Sequence, residues 1–210
     1  MFEKGTLYFE KCGKENTGET AKAAKRRAEE LNIRNIVVGT TRGTTALAVS
    51  DIFNDTKYNI VAVTLSRGTG LGYGEAFVMT EEERKLLADK RVKVFTGIHA
   101  LGHNVSSSFR KRYRGEAVES AVQDTLYCFC VGMKVCVECV LMAADAGLIP
   151  VDEEVIVIGG TGWGADTSVV IKSACPEFFH DLEIREIIAK PRAAKAIYEG
   201  GILPASSKPP

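Results

Sequence analysis

The sequence has no surplus of either charge: lysine plus arginine and aspartate plus glutamate each number 27 among 210 residues. That balance gives no pull toward nucleic acid or an acidic membrane surface, and neither is expected as a partner. No apolar signal core occupies Met1 to Cys12, so a cytoplasmic location is expected. Of the six cysteines, four crowd into one apolar stretch, a pattern unlike a secreted disulfide framework. Reduced, mostly buried thiols are expected instead. Internal repeats and low-complexity linkers are absent, and only the Pro- and Ser-rich 204–210 reads as a loose tail. Residues 1–203 are read as a single α/β domain, long enough to bury a sizeable core.

What is present alternates. Thr6 to Phe9 reads as a short strand, and Asn16 and Thr17 open a polar helix to about Leu31, with Glu19 at capping-box spacing from Asn16. Ile36 to Val38 reads as the first core strand and Thr44 to Asn54 as the next helix. Strands follow at Ile60 to Val63, Val92 to Phe95 and Val155 to Ile158, with a helix between the first two capped by Thr80 and Glu83. Ser168 to Ile171 and Leu182 to Ile188 read as edge strands. Strands alternating with helices predict a three-layer α/β/α fold around a mostly parallel open sheet.

The organising stretch is Ile36 to Ala46, IVVGTTRGTTA. Behind Gly43, the amides of Thr44, Thr45 and Ala46 stand unpaired at a helix start, which attracts phosphate. Hydroxyls of Thr40, Thr41, Thr44 and Thr45 and the fork of Arg42 add donors. Three further strands end in loops rich in Gly, Thr or Ser. These contribute Ser66, then Gly97 and His99, then Gly160, Thr161, Gly162 and Trp163. Carboxyl ends of parallel strands line the ligand crevice in open sheets, so four such loops on one edge predict a binding site. Trp163, the only tryptophan, is expected to cover an aromatic ring of the ligand.

Ser120 to Ala146 reads as one apolar helix buried between the sheet and a neighbouring element. A membrane span is disfavoured, because Lys134 and Glu138 near its centre would each cost about 2.5–3.5 kcal/mol on insertion. Those two residues share a helical face, either as a structural ion pair or as a pair reaching the crevice. Cys128, Cys136 and Cys139 are expected on one face and Cys130 elsewhere, as small buried hydrophobes. No metal site is expected: four converging ligands are lacking, and His99 and His103 have no Glu between them. Arg110 to Arg114, RKRYR, reads as a solvated helix end.

The stretches IVVGTTRGTTA, IVAVT and VIGGTGWGADTSVVI resemble the carboxyl-terminal α/β domain of pyruvate kinases, whose first loop holds the phosphate of a sugar-phosphate effector. With GKENT, TGIHALGH, MKVCVECVLMAADAG and EIIAKPR added, the chain looks closest to stand-alone archaeal pyruvate kinase α/β domain proteins. The resemblance implies the three-layer fold and FMN or a similar ligand in the crevice. It assigns the phosphate to Thr40, Thr41, Gly43, Thr44 and Thr45, with His99, Lys134, Gly160, Thr161 and Gly162 as further contacts. The chain is too short to include the pyruvate kinase catalytic barrel, so that activity is not implied. The expected function is a ligand-binding protein for FMN or another phosphorylated metabolite, in a homo-oligomer. The alternatives are a flavin-dependent oxidoreductase and a regulatory module docking on a partner enzyme.

Overall fold

The computed structural model describes residues 1–193 apart from Phe2 and Glu116; the expected tail at 204–210 and the last stretch of the expected domain lie outside the described residues. The strands are β1 (Leu7–Phe9), β2 (Asn35–Gly39), β3 (Asn59–Val63), β4 (Lys93–Phe95), β5 (Glu154–Gly159), β6 (Thr167–Lys172) and β7 (Glu183–Pro191). They form one sheet in the order β1-β7-β6-β5-β2-β3-β4. Among the described strands only β6 runs against its neighbours; the pairs β1/β7, β2/β5, β2/β3 and β3/β4 are parallel.

Successive side chains of a strand point to opposite faces, and here both faces are apolar. Val37, Val61, Val63, Val155, Val157, Val169 and Ile171 pack with α7 (Val131–Asp145). Their neighbours Ile36, Val38, Ile60, Ala62, Ile156, Ile158 and Val170 pack on the other side. That layer contains α1 (Thr17–Leu31), α2 (Thr44–Ile52) and α4 (Glu81–Asp89). In α1, Ala21, Ala24 and Ala28 recur at helical spacing and are buried, so the helix seats closely on the sheet. This is the three-layer α/β/α architecture that the alternating pattern predicts.

Several local expectations are revised. Ser168 to Ile171 and Leu182 to Ile188 belong to interior strands, and among the described residues the sheet edges are the three-residue β1 and β4. The short, partly exposed LYF of β1 covers β7, which periodicity in the later strands cannot reveal. Ser120 to Ala146 is two helices, α6 (Val118–Tyr127) and α7, separated by Cys128 to Cys130. The break brings Gly132 against β6 so tightly that an added Cβ would stand 2.1 Å from Thr167 Oγ1. As a result Cys130 is buried beside Cys136 and Cys139, whereas Cys128 is exposed. The Thr80–Glu83 capping box forms, but Asn16 spends its amide on the Lys11 carbonyl and gives α1 no side-chain cap. RKRYR closes α5 (Val105–Tyr113) as an exposed end, with Arg114 in the left-handed region. No helix among the described residues is long and apolar enough to cross a membrane.

Candidate functional site

Gly39 ends β2, and the Thr40 amide continues the sheet by donating to the Val63 carbonyl (2.9 Å). The Thr40 hydroxyl accepts from the Gly43 amide (3.0 Å), closing the loop on itself. Gly43 has φ +94° and sits on Leu87, so the turn needs a residue without a side chain. The first amide of α2 to find a helical carbonyl is Leu47, which donates to Gly43 (2.8 Å). The amides of Thr44, Thr45 and Ala46 precede it and have no role in the helix ladder.

Beside this turn opens a crevice of about 430 Å³, within the range of small-molecule sites. Thr40, Thr41 and Thr45 line one end, with Gly160, Gly162, Trp163 and Gly164 from the loop after β5. One wall is aromatic: Phe77 and Trp163 approach at 5.1 Å between ring centroids, and Tyr73 packs on Phe77 at 5.4 Å. Another is apolar, with Val131, Val135, Cys139 and Met142 of α7. The Thr45 hydroxyl donates to the Trp163 carbonyl (3.3 Å) and so joins the two loops.

Toward β4 the crevice floor is polar. Lys134 and Glu138, both buried, pair at 2.5 Å, and Glu138 also accepts from the Leu101 amide (3.0 Å). His99 Nε2 accepts from the Ser66 amide (3.0 Å), which assigns the proton of the neutral ring to Nδ1. Among the described residues Nδ1 has no hydrogen-bond partner of good geometry; the Thr64 backbone favours the charged ring, and the Glu138 carboxylate lies 3.8 Å away. Burial lowers the His99 pKa, and Lys134 works in the same direction against Glu138. His103 lies at the mouth with φ +50°, its ring edge-on to His99 and to Tyr73. Desolvation first, then the repulsion a proton there would meet from a charged His99 and from Lys134, pushes it down as well. Its solvent-exposed edge offsets part of that push, but both imidazoles stay neutral near pH 7.

Residues 18–171 match the family model described as pyruvate kinase, alpha/beta domain. The chain belongs to that family. Among solved structures it is similar to three of Cryptosporidium parvum pyruvate kinase, one of them in complex with ADP. Identities are 16%, 14% and 17%, with TM-scores of 0.37, 0.35 and 0.34. These matches cover 75%, 75% and 83% of this chain but 23%, 22% and 24% of the kinases. The chain thus spans about a quarter of the length of the kinases it matches.

Of the residues expected at the site, this α/β domain brings Thr40, Thr41, Thr45, His99, Lys134, Gly160, Gly162 and Trp163 to one crevice. Thr44 is exposed at the start of α2, outside the lining. Arg42 turns to α4, pairing with Glu83 at 2.7 Å and reaching the Ala76 carbonyl. Gly43 shapes the turn from behind. Ser66 holds His99 and caps Thr69, and Gly97 packs under the Phe95 ring. Thr161 is buried, its amide donating to Asp166 (3.3 Å).

Sequence reasoning weighed His103 only as a metal ligand, did not bring Tyr73 or Phe77 to the crevice, and did not single out Asp166, which holds the neighbouring loops. Tyr73 and Phe77 lie in and just after α3 (Arg67–Tyr73), a glycine-rich segment with no helical periodicity to mark which face turns inward. Asp166 is fully buried and accepts from the amides of Gly13 (2.9 Å) and Thr161 and from the Thr167 hydroxyl (2.9 Å). Burial nonetheless raises its pKa. An acid directly after a glycine-rich loop was the available signal.

Proposed function

We propose that this protein holds FMN, or a similar phosphorylated metabolite with an aromatic body, at the carboxyl edge of β2, β3, β4 and β5. The observation that carries the reading is that two unlike surfaces open into one crevice. The Thr40–Thr45 turn, with free helix-start amides behind it, supplies an anion end, and the mutually tilted rings of Tyr73, Phe77 and Trp163 supply an aromatic wall. A phosphate satisfies the first, and a planar ring covers the second.

The reading extends to the finer kinship with stand-alone archaeal relatives, to a cytoplasmic location and to a homo-oligomer. No reaction is assigned. Visible absorption of the freshly purified protein, followed by calorimetric titration with FMN and with riboflavin, tests it. FMN should bind more tightly than riboflavin by at least tenfold, the phosphate accounting for the difference. Equal affinities would remove the Thr40–Thr45 turn from the site, and no affinity for either would end the flavin reading.

A further inference from the structure

The two ends of the crevice differ in charge. The anion end has helix-start amides and hydroxyls with no carboxylate among the lining residues around them. The far end, under the loop after β4, holds a cation that is already neutralised: Lys134 Nζ stands 2.5 Å from Glu138 Oε2, with both side chains 7% exposed or less. The other titratable groups facing this pair are His99 and His103, which their surroundings keep neutral, the Cys139 thiol, whose pKa burial raises, and Tyr73 beside His103; Tyr127 also lines the crevice. Lys111 adds only a minor positive contribution at His103. Among the described residues, the far end therefore carries one cation, one anion and otherwise neutral groups.

Distance makes this relevant to ligand choice. Neighbouring strands lie about 4.8 Å apart, so the loop after β4 is about 10 Å from the anion turn after β2. A ligand anchored at one end reaches the other. A second phosphate arriving there would lose its water, meet the Glu138 carboxylate and find the ammonium of Lys134 taken. An uncharged edge with hydrogen-bonding atoms meets no such penalty: Lys134 has two N–H groups beyond the one given to Glu138, and Tyr73 and His103 add neutral partners.

We propose that Glu138 is a specificity-determining residue, whose carboxylate cancels Lys134 so that the crevice accepts monophosphates with an uncharged aromatic body and rejects bisphosphates. This rests on reading the crevice as the site of a phosphorylated ligand. It adds that discrimination comes from the end remote from the phosphate, through a repulsive group.

The test is competition binding with three probes: FMN, fructose 1,6-bisphosphate and orthophosphate. On the unmodified protein, fructose 1,6-bisphosphate should bind no more than about threefold more tightly than orthophosphate. Glu138→Gln keeps an acceptor for the Leu101 amide and frees the Lys134 charge; it should tighten fructose 1,6-bisphosphate at least tenfold while orthophosphate changes little. A double variant, Lys134→Gln with Glu138→Gln, is neutral and should show no such gain. The proposal is overturned if the unmodified protein binds the bisphosphate as tightly as FMN. It is overturned equally if folded Glu138→Gln gains nothing. Should Glu138→Gln fail to fold, the unmodified protein and the double variant decide. Binding of FMN with no discrimination removes this inference and leaves the ligand reading standing; no binding of FMN or orthophosphate removes both.

Discussion

The Thr45 hydroxyl donates to the Trp163 carbonyl across 3.3 Å, so the helix start behind β2 and the glycine-rich loop behind β5 are one structural unit. A change in the loop is expected to reach the start of α2 through this bond. Substituting Thr45→Val keeps the side-chain shape and removes this bond. It should cost about 0.5–1.5 kcal/mol of stability and weaken FMN. Thr44→Ala, at an exposed position, should leave the melting temperature unchanged; titration of both variants with FMN then separates a loop effect from direct contact. Full affinity in both would leave the hydroxyls without a part in binding.

Breaking the buried pair should be costly. Lys134→Met leaves Glu138 charged and enclosed, and the loss is expected at about 3–5 kcal/mol in urea unfolding. A loss below about 1 kcal/mol would mean that water reaches the pair, contrary to its burial.

Acid should weaken the fold through the histidines. His103 is pushed from an ordinary 6.5 to about 4, and His99 is lowered in the same direction. The unfolded chain takes up these protons first, so the stability they provide is complete above pH 6.5 and is lost as pH falls toward 4. Asp166 runs the other way, since its raised pKa lets the folded state bind a proton first, and it offsets part of the loss. Melting temperatures between neutral pH and about pH 4 should fall more steeply for the native chain than for His103→Asn, a substitution compatible with φ +50°. Parallel curves would exclude His103 from the acid transition.

Trp163 is 49% exposed and borders the crevice, so its emission can respond to a ligand. Flavin stacked on that wall should quench most of the fluorescence, with no second indole to obscure the signal. Binding that leaves the emission unaltered would move the ring off this wall.

Asp166→Asn replaces an acceptor of three hydrogen bonds with a group that is half donor. A loss of about 1–3 kcal/mol is expected, with faster amide exchange at Gly13 and Thr161. Unchanged exchange there would show that the carboxylate does not hold the two loops together.

The layers and the crevice edge were legible in the sequence because β2, β3 and β5 are β-branched runs that end at glycine or threonine. Such runs state both their burial and their direction. The anchor turn was legible for the same reason: Gly43 and the threonines around it have few roles besides a helix start. The position of β6 and β7 inside the sheet was not, since strand order depends on pairing between distant segments. Arg42 illustrates a second limit. Its charge suited a phosphate, but Glu83 lies a short reach away on α4, and no local spacing announces that contact. The break at Cys128 to Cys130 was hidden by uniform apolarity, which looks the same in one long helix and in two.

The placement of β1 beside β7 also bears on how the chain is made. Thr6 bonds to the carbonyl of Ile187, 181 residues away, and among the described residues Leu7 to Phe9 have no other strand beside them. β1 therefore waits for a partner made long after it, and this pairing cannot close until synthesis has passed Pro191. Until then β1 has nothing to pair with, a long-range closure of the kind that slows folding.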